Sequence, residues 1–484
     1  MTFEPLTAMD SVFVTMDSAN APLHIGVVLE LEPRDPSVYD PQRRFEEIRA
    51  TIEERLGKIA VLRRRVLRVP FDLGPPVLID DPDFDLDFHI VRRAVPAPGG
   101  GAQLEALIGR IMARSLSPDR PLWEVSVIEG LEGGSTALLM KVHHALADGV
   151  AGVKVFAGLF DIDPEMPTVE LADDLEDAPP VPSPVELLAR SSSELLRRPG
   201  AVLEAIGLSL ERLAGKVDEL VGTASGDAGG SATPSILDAP KTSLSGTVSY
   251  ARHFERFELD LGAVKTAAKA QGATVTDFAM TCVGGALRRL LELRGEASEK
   301  DLVAFVPVNI RRPGTEGDLG NQISGRLVQL QTQIGDPARR LHALGECSRA
   351  ARESVDEPAS DLLNEVAEAA GPAVASLAGK IINAFELFDH LPNVANVIVS
   401  SVPGPPVPLW CAGERIVRAS PMGPLMFNQA LNITLMSYCG TLQFGTLACA
   451  RKVPDAAVLN ELMFEEASKL LDGEQPLILV SSSS

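Results

Sequence analysis

The sequence is short of positive charge. Of its 484 residues, 44 are Lys or Arg and 66 are Asp or Glu, so the formal net charge is −22 at pH 7. Proteins that bind DNA or RNA neutralise phosphates with clustered cations, and this balance therefore argues against a nucleic-acid partner. Hydrophobic residues make up 45% of the chain and charged residues 23%, a composition typical of a globular protein of two or three domains.

Cysteine is also scarce. The chain has five cysteines, an odd number, and none of them forms a CxxC pair. They are Cys282, Cys347, Cys411, Cys439 and Cys449. This pattern supports neither a disulfide framework nor a zinc site, and it favours the reducing cytoplasm.

Targeting and membrane-spanning signals are missing as well. The first 17 residues lack the basic and apolar regions of a signal peptide. No stretch reaches the roughly 18 uninterrupted apolar residues that a membrane-spanning helix needs. Residues 370–388 come nearest, but Lys380 and Glu386 interrupt them. We therefore expect a cytoplasmic protein whose membrane contact, if any, is peripheral.

Hydrophobic patterning predicts a mixed α/β protein with two halves of about equal size. Short apolar or alternating runs predict strands at 24–32, 136–142, 248–261, 302–310, 322–334, 394–402 and 441–450. Helical spacing predicts helices at 43–57, 103–116, 262–271, 276–295, 337–354 and 454–472.

The two halves are separated by an acidic, proline-rich stretch. Residues 161–186 hold nine acidic residues and six prolines without one Lys or Arg, which is typical of an extended linker. An amphipathic helix is predicted at 203–220, packing on the protein's own domains, on a lipid surface or on a partner helix. The expected domains are 1–160 and 246–484, joined by a linker and crossover helix at 161–245.

Familiar nucleophile, phosphate and metal motifs are absent from the sequence. There is no GxSxG elbow, no Walker lysine loop, no HExxH and no GxGxxG. Covalent serine chemistry and nucleotide hydrolysis therefore lose support.

The chemistry-bearing motif is KVHHALADG at residues 141–149, where an apolar strand ends and a helical run is expected to begin. Histidine titrates near neutral pH, which suits a general base. Neighbouring strand residues face opposite sides, so one of His143 and His144 is expected to act while the other packs. Asp148 would fix the loop by accepting backbone N–H groups or pairing with an arginine, and Gly149 would permit the turn. Two core histidines or a chance pair remain the alternative, and a metal site is disfavoured because the other histidines form no ligand-spaced cluster with the pair.

HHALADG matches the HHxxxDG motif of acyl-CoA-dependent acyltransferases, and the chain resembles the bacterial wax ester synthase/diacylglycerol acyltransferase family almost from end to end. Six further blocks carry this resemblance: LTAMDSVFVTMDSANAPLHIG (6–26), DDPDFDLDFHI (80–90), SPDRPLWEVSVIEGL (117–131), VPVNIRRPGTEGDLGNQIS (306–324), NVIVSSVPGPPVPLWCAG (396–413) and LNITLMSYCGTLQFG (431–445). The chain departs from the family pattern at Ile79, Ser245 and Thr276, the last two standing where the family usually has asparagine.

The resemblance implies a two-domain fold like that of chloramphenicol acetyltransferase, with the active site in a tunnel between the domains. His144 would take the proton of an alcohol as its oxygen attacks the thioester of acyl-CoA, without an acyl-enzyme. Acyl-CoA would be a substrate, and no cofactor or metal is expected. The acceptor would be diacylglycerol, giving triacylglycerol, or a long-chain alcohol, giving a wax ester.

The resemblance also implies roles for residues outside the motif. Pro121, Leu122 and Trp123 would shape the acyl-CoA side, unless they form a packed turn with a core tryptophan. Asn309 and Asn432 would line the pocket or serve as strand-end hydrogen-bonding groups.

Three further roles concern the replaced asparagine and basic residues. The hydroxyl of Thr276 would take over the task of the family asparagine, and Arg311 would pair with Asp148. The basic pairs Arg311-Arg312 and Arg339-Arg340 are candidates for binding CoA phosphates, with solvated surface charge as the alternative.

Two other functions remain open at this point. One is a condensation-type acyltransferase of cell-envelope or secondary lipid metabolism that uses a carrier-bound donor. The other is a weakly active lipid-binding homologue at a membrane or lipid-droplet surface, suggested by Ser245 and Thr276.

Overall fold

The structure, a computed structural model, describes residues 4–35, 40–57, 59–146, 158–163, 181–191, 239–309, 323–353, 393–426 and 428–471. The predicted linker at 161–186 lies mostly outside these ranges. The predicted helix at 203–220 and the apolar stretch at 370–388 lie outside them completely.

The first large sheet has six strands and gathers most of the strands from the first 150 residues. In chain order these are β2 (His24–Glu32), β5 (Ile90–Ala94), β6 (Trp123–Glu129), β7 (Thr136–His143), β12 (Trp410–Cys411) and β13 (Glu414–Met422). Their order across the sheet is β12-β13-β2-β7-β6-β5, with only the β5–β6 pair parallel. A small separate sheet holds β1 (Glu4–Pro5), β3 (Arg64–Leu67) and β4 (Val77–Asp80) in the order β1-β4-β3.

The second large sheet also has six strands, all from the second half of the chain. They are β8 (Arg252–Asp260), β9 (Val303–Asn309), β10 (Ile323–Gln329), β11 (Val397–Val402), β14 (Leu431–Tyr438) and β15 (Thr441–Cys449). The order is β10-β9-β11-β14-β15-β8, and β11 runs parallel to both of its neighbours.

The described ranges contain eight α-helices, several of which begin at residues whose side chains accept the first N–H groups. They are α1 (Ala8–Met16), α2 (Pro41–Leu56), α3 (Gly101–Met112), α4 (Pro184–Ser191), α5 (Leu261–Ala270), α6 (Val275–Leu293), α7 (Pro337–Glu353) and α8 (Ala456–Leu470). Thr7 caps α1, Asp40 precedes a proline at the start of α2, and Thr274 and Asp277 form a capping box on α6.

Helix α3 packs between the two large sheets. Its apolar side chains share one core with Val28 and Leu139 of the first sheet and with Phe254 and Leu447 of the second. A Cβ on Gly109 of this helix would lie 2.6 Å from the carbonyl oxygen of Arg252. Only glycine permits so close an approach of a helix to β8.

The confirmed prediction is the mixed α/β class, and nearly all the predicted strands and helices appear within a few residues of their expected bounds. The division into 1–160, 161–245 and 246–484 stays a prediction, with one addition. Strands β12 and β13 come from the second half of the chain but pair into the first sheet, where β13 lies beside β2. Within the described ranges no helix combines the length and apolar character needed to cross a membrane.

Candidate active site

The histidine motif begins on β7 and continues just beyond its end. His143 is the last residue of β7 and lies opposite His24 on β2. The backbone N–H of His143 donates to the carbonyl of Leu122 at 2.9 Å, and that of His144 donates to the carbonyl of Leu23 at 2.8 Å. The two histidines are therefore fixed by hydrogen bonds to the segments that precede β6 and β2.

His143 is a buried, neutral base. Its Nδ1 accepts the backbone N–H of Ala145 at 3.1 Å, which assigns the ring hydrogen to Nε2. Burial, together with the neighbouring His144, lowers the pKa of His143 to about 3. Its ring meets the ring of His24 edge-on, with 5.8 Å between centroids.

His144 lies against an apolar cluster and is 9% exposed. Its ring stacks on Phe13 of α1 with 4.4 Å between centroids and 24° between planes. Phe13 belongs to a buried cluster with Leu23 and Ala145, and side chains from α1 and the 426 region pack around that cluster. These surrounding side chains are Met9, Val14, Met16 and Met426. The second histidine of the motif thus has an apolar environment that its neighbour does not share.

Two further bases lie buried behind the motif. Lys141 of β7 donates from Nζ to the carbonyls of Ile111 and Arg114, at 3.1 and 2.6 Å, where α3 ends. A cation there is favourable because the last carbonyls of a helix carry partial negative charge, yet burial lowers the pKa of Lys141 to about 8. Burial and then the charge of Lys141 also lower the pKa of His24 well below its usual value.

Asp17, which immediately follows α1, is the acidic group near these bases. Its Oδ1 accepts the backbone N–H of Leu23 at 2.7 Å and lies 3.8 Å from Nε2 of His143. Burial raises the pKa of Asp17 to about 6, against the Leu23 N–H and the charge of Lys141. Sequence reasoning did not single out Asp17, Phe13 or His24. The available signal was the Thr7-x-x-Asp10 start of a helix directly before the strand that begins at His24.

Pro121, Leu122 and Trp123 form a buried turn at the start of β6. Trp123 is 2% exposed, donates from Nε1 to the carbonyl of Leu62 at 2.6 Å and stacks on His89 at 4.4 Å. This is the packed turn that the sequence offered as the alternative. In it, the Leu122 carbonyl accepts the backbone N–H of His143. A direct role on the acyl-CoA side stays a prediction.

Thr276 is partly buried in the first turn of α6. The next residue, Asp277, accepts the N–H and the hydroxyl of Thr274 at 2.8 and 2.7 Å and also binds the hydroxyl of Ser348 on α7. Asp277 therefore completes the capping box at the start of α6 and ties this helix to α7. Ser245, the second departure from the family pattern, accepts a hydrogen bond from the Asn393 amide at 2.7 Å.

Of the other predicted residues, one lies on β9, one lies on β14, and three lie outside the residues that the structure describes. Asn432 is buried in β14, where its amide donates to the carbonyl of Pro424 at 2.8 Å and accepts from Thr434 at 2.9 Å. Asn309 ends β9 opposite Ile323. The remaining predicted residues, Asp148, Gly149 and Arg311, lie outside the described residues.

Arg339 and Arg340 differ in environment. Arg339 lines a surface cleft with Gln271 and His342. Arg340 is 1% exposed, pairs with Glu466 at 3.0 Å and donates to the carbonyl of Ile334. The suggestion that this pair binds CoA phosphates is therefore wrong for Arg340. Its buried guanidinium is already paired with Glu466 and hydrogen-bonded to the Ile334 carbonyl. Across the described ranges, no group of three or more His, Cys, Asp or Glu side chains is arranged to hold a metal ion.

Known structures share the fold. The chain superposes on the wax ester synthase/diacylglycerol acyltransferase of Marinobacter aquaeolei VT8 with a TM-score of 0.66 and 24% identity, over 96% of this chain and 98% of that one. It also superposes on the first condensation domain of the CDA synthetase with a TM-score of 0.52 and 16% identity, over 99% of both chains.

Sequence comparisons reach further than the fold. Residues 6–279 match the model of the wax ester synthase/diacylglycerol acyltransferase catalytic domain, and residues 319–470 match the WS/DGAT C-terminal domain. Two relatives from Mycobacterium tuberculosis are named as candidate diacylglycerol O-acyltransferases. Rv1760 is 31% identical, over 97% of this chain and 90% of its own length. The protein tgs2 is 30% identical, over 96% of this chain and 98% of its own length. The chain therefore belongs to the wax ester synthase/diacylglycerol acyltransferase family and is an acyl-CoA-dependent acyltransferase.

Proposed function

We propose that this enzyme transfers a long-chain acyl group from acyl-CoA to the hydroxyl of a diacylglycerol and, as a second acceptor, to that of a long-chain alcohol. The observation that carries the proposal is the environment of His144, an imidazole stacked on Phe13 beside an apolar cluster. Apolar lining with a few polar groups is typical of sites for lipid-like ligands. Diacylglycerol as the acceptor is further supported by the names of the mycobacterial relatives.

His144 is the general base in this proposal. Its imidazole takes the hydroxyl proton as the alcohol oxygen attacks the thioester carbonyl, and the tetrahedral intermediate then expels CoA thiolate, which recovers the proton as the free thiol. The C–O bond forms in the first step, the C–S bond breaks when the intermediate collapses, and no acyl-enzyme is needed. His143, with a pKa of about 3, is too weak a base to compete for the proton near neutral pH.

The other predicted residues complete the proposal. Asp148 pairs with Arg311 and shapes the loop after the motif together with Gly149, while Thr276 supplies a hydroxyl in place of the family asparagine. Acyl-CoA is a substrate, and the reaction uses no cofactor. We also propose that the enzyme meets its acceptor at a membrane or lipid-droplet surface, because diacylglycerol is held there.

The test uses purified protein with palmitoyl-CoA and either dioleoylglycerol or hexadecanol, following thiol release and separating the neutral lipids by thin-layer chromatography. We expect triacylglycerol with the first acceptor and a wax ester with the second. Thiol release without ester would show hydrolysis instead. Ester formed only from a carrier-bound donor would show a condensation-type enzyme, and lipid binding without thiol release would show a lipid-binding homologue.

His144→Ala tests the base. We expect a loss of about 10²- to 10⁴-fold in kcat, the usual contribution of a general base. His143→Ala is expected to lose activity mainly through the geometry of the loop. His342→Ala is the matched control, because His342 is an exposed histidine on α7. Full activity of His144→Ala would contradict the assignment.

A further inference from the structure

Asp17 lies where α1, the loop after it and the histidine motif meet. Its carboxylate accepts the N–H of Leu23 at 2.7 Å, and the carbonyl of Leu23 accepts the N–H of His144 at 2.8 Å. The N–H of Asp17 itself donates to the carbonyl of Phe13 at 3.1 Å, the residue whose ring stacks on His144. Asp17 is thus connected to His144 both through the backbone of Leu23 and through the stacking partner.

The same carboxylate oxygen faces His143. Because Nδ1 of His143 accepts the Ala145 N–H, the neutral ring carries its hydrogen on Nε2, and this atom lies 3.8 Å from Oδ1 of Asp17. That separation is longer than a hydrogen bond. Contacts of catalytic groups often tighten only when substrate is bound.

We propose that Asp17 is a positioning residue for the histidine motif: it fixes the place of the His144 imidazole through Leu23 and Phe13, and its charge orients the His143 ring through the hydrogen on Nε2. The inference rests on the proposed function, in which His144 takes the proton of the acceptor. A base displaced by about 1 Å loses on the order of 10²-fold in rate, so a residue that sets its position matters without touching substrate.

The groups around Asp17 decide when it is charged. Lys141 and His143 of β7 are the titratable groups that face it. The same two residues and Arg252 of β8 also act on the buried His24 of β2. Burial raises the pKa of Asp17 to about 6, so the carboxylate is ionised at neutral pH and takes up a proton as the pH falls through that value. A contribution of ionised Asp17 to the rate would therefore be lost on the acid side of about pH 6.

Two substitutions at Asp17 separate its charge from its hydrogen bond. Asp17→Asn keeps an oxygen for the Leu23 N–H but removes the charge that faces His143, whereas Asp17→Ala removes both. Asp260→Asn is the control, because Asp260 caps α5 by accepting the Ala263 N–H in a similar way outside the motif. All three are measured for kcat, for KM of palmitoyl-CoA, for the pH profile of kcat from 5 to 9 and for Tm.

For Asp17→Asn we expect kcat about tenfold lower, KM within twofold and little change in Tm, since the charge that faces His143 is lost while the Leu23 hydrogen bond remains. The acid limb of the kcat profile should become less steep, because only protonation of the base His144 then contributes to it. Asp17→Ala should lose more in kcat and also lower Tm, while Asp260→Asn should leave kcat unchanged. An Asp17→Asn enzyme with kcat within twofold of the unmodified protein and an unchanged acid limb would overturn the proposal. The proposal would also be overturned if Asp17→Asn and Asp17→Ala lowered Tm without lowering kcat.

A spectroscopic readout separates this inference from the proposed function. Selective ¹⁵N labelling of histidine, with His143→Gln to assign the signal, reports which ring nitrogen of His143 carries hydrogen. We expect hydrogen on Nε2 in both proteins, because the Ala145 N–H still binds Nδ1 in Asp17→Asn, and a changed Nε2 signal in that variant, because the charge that faces Nε2 is lost. If the unmodified protein transfers no acyl group, the proposed function fails. If the Nε2 signal is the same in both proteins, the role of Asp17 fails whatever the activity.

Discussion

Strand β2 carries a buried or partly buried ionisable residue near each of its ends. The two regions differ in whether an opposite charge binds that residue. At one end, Glu30 is bound by Arg256 of β8 and Arg418 of β13. Burial alone would raise the pKa of Glu30, but these two guanidinium groups together lower it. At the other end, burial is the main cause that lowers the pKa of His24, and Lys141, the imidazole of His143 and Arg252 lower it further.

The contrast follows from the cost of burying charge. An ion in the interior is tolerated where an opposite charge binds it, and otherwise the group becomes neutral. The charged end of β2 holds β2, β13 and β8 together, because Arg418 binds both Glu30 and Glu258. At the other end, beside His144, the imidazoles of His24 and His143 have lowered pKa values and are neutral near pH 7, while backbone carbonyls bind the cation of Lys141. We call this the histidine end of β2.

The largest expected effect comes from breaking the charged end. Arg256→Met removes a 1% exposed guanidinium and leaves Glu30 with one cation instead of two. Removing one partner of a buried pair costs about 3–5 kcal/mol, so we expect a large fall in Tm and in the urea midpoint. The control is Arg43→Met, because the Arg43–Glu47 pair is exposed and is expected to contribute about 0–1 kcal/mol. Similar small losses from both variants would show that the buried network does not hold the sheets together.

The second prediction uses pH to act on the two ends separately. Glu105 of α3 lies 3.5 Å from Arg256, and burial raises its pKa to about 8. A raised folded-state pKa contributes stability that is complete below the unfolded value near 4.5 and is lost as the pH rises through 8. The depressed pKa of His143, about 3, acts in the opposite direction, since its contribution is complete above about 6.5 and is lost as the pH falls toward 3.

The two contributions oppose each other between about pH 4.5 and 6.5, so Tm is expected to be highest there and to fall on both sides. Each titrating group changes the free energy of unfolding by up to about 1.4 kcal/mol per pH unit. Glu105→Gln should reduce the fall in Tm above pH 6.5 and leave the acid side unchanged. Glu255, whose pKa burial raises to about 7, should retain part of the alkaline fall. An alkaline fall in Tm unaffected by Glu105→Gln would show that Glu105 is already ionised in the folded protein.

Local pattern in the sequence was sufficient for much of this fold and for part of the site. Strands β2 and β7 were predicted because apolar runs between turn residues need no knowledge of their partners, and the histidine pair was predicted from its place after such a run. The pairing of β13 with β2 was not predicted, because Met422 and Gly26 are neighbours in the sheet but almost 400 residues apart in the chain. Phe13 and Asp17 were missed for the same reason, since their importance lies in contacts with residues 143–144 and not in their own segment.

The smallest expected effect is at the histidine end of β2, where the same replacement is made as in the first prediction. Lys141→Met removes a buried cation that, unlike Arg256, has backbone carbonyls rather than a carboxylate as its hydrogen-bond acceptors. The carbonyls of Ile111 and Arg114 lose a donor, which costs about 1–3 kcal/mol. The desolvation that lowers the pKa of Lys141 to about 8 is relieved at the same time. Because these effects oppose each other, we expect a net change of about 1 kcal/mol or less in urea unfolding at pH 7. A loss as large as that of Arg256→Met would show that charge at this end is held as firmly as at the other, and that the two ends of β2 do not differ.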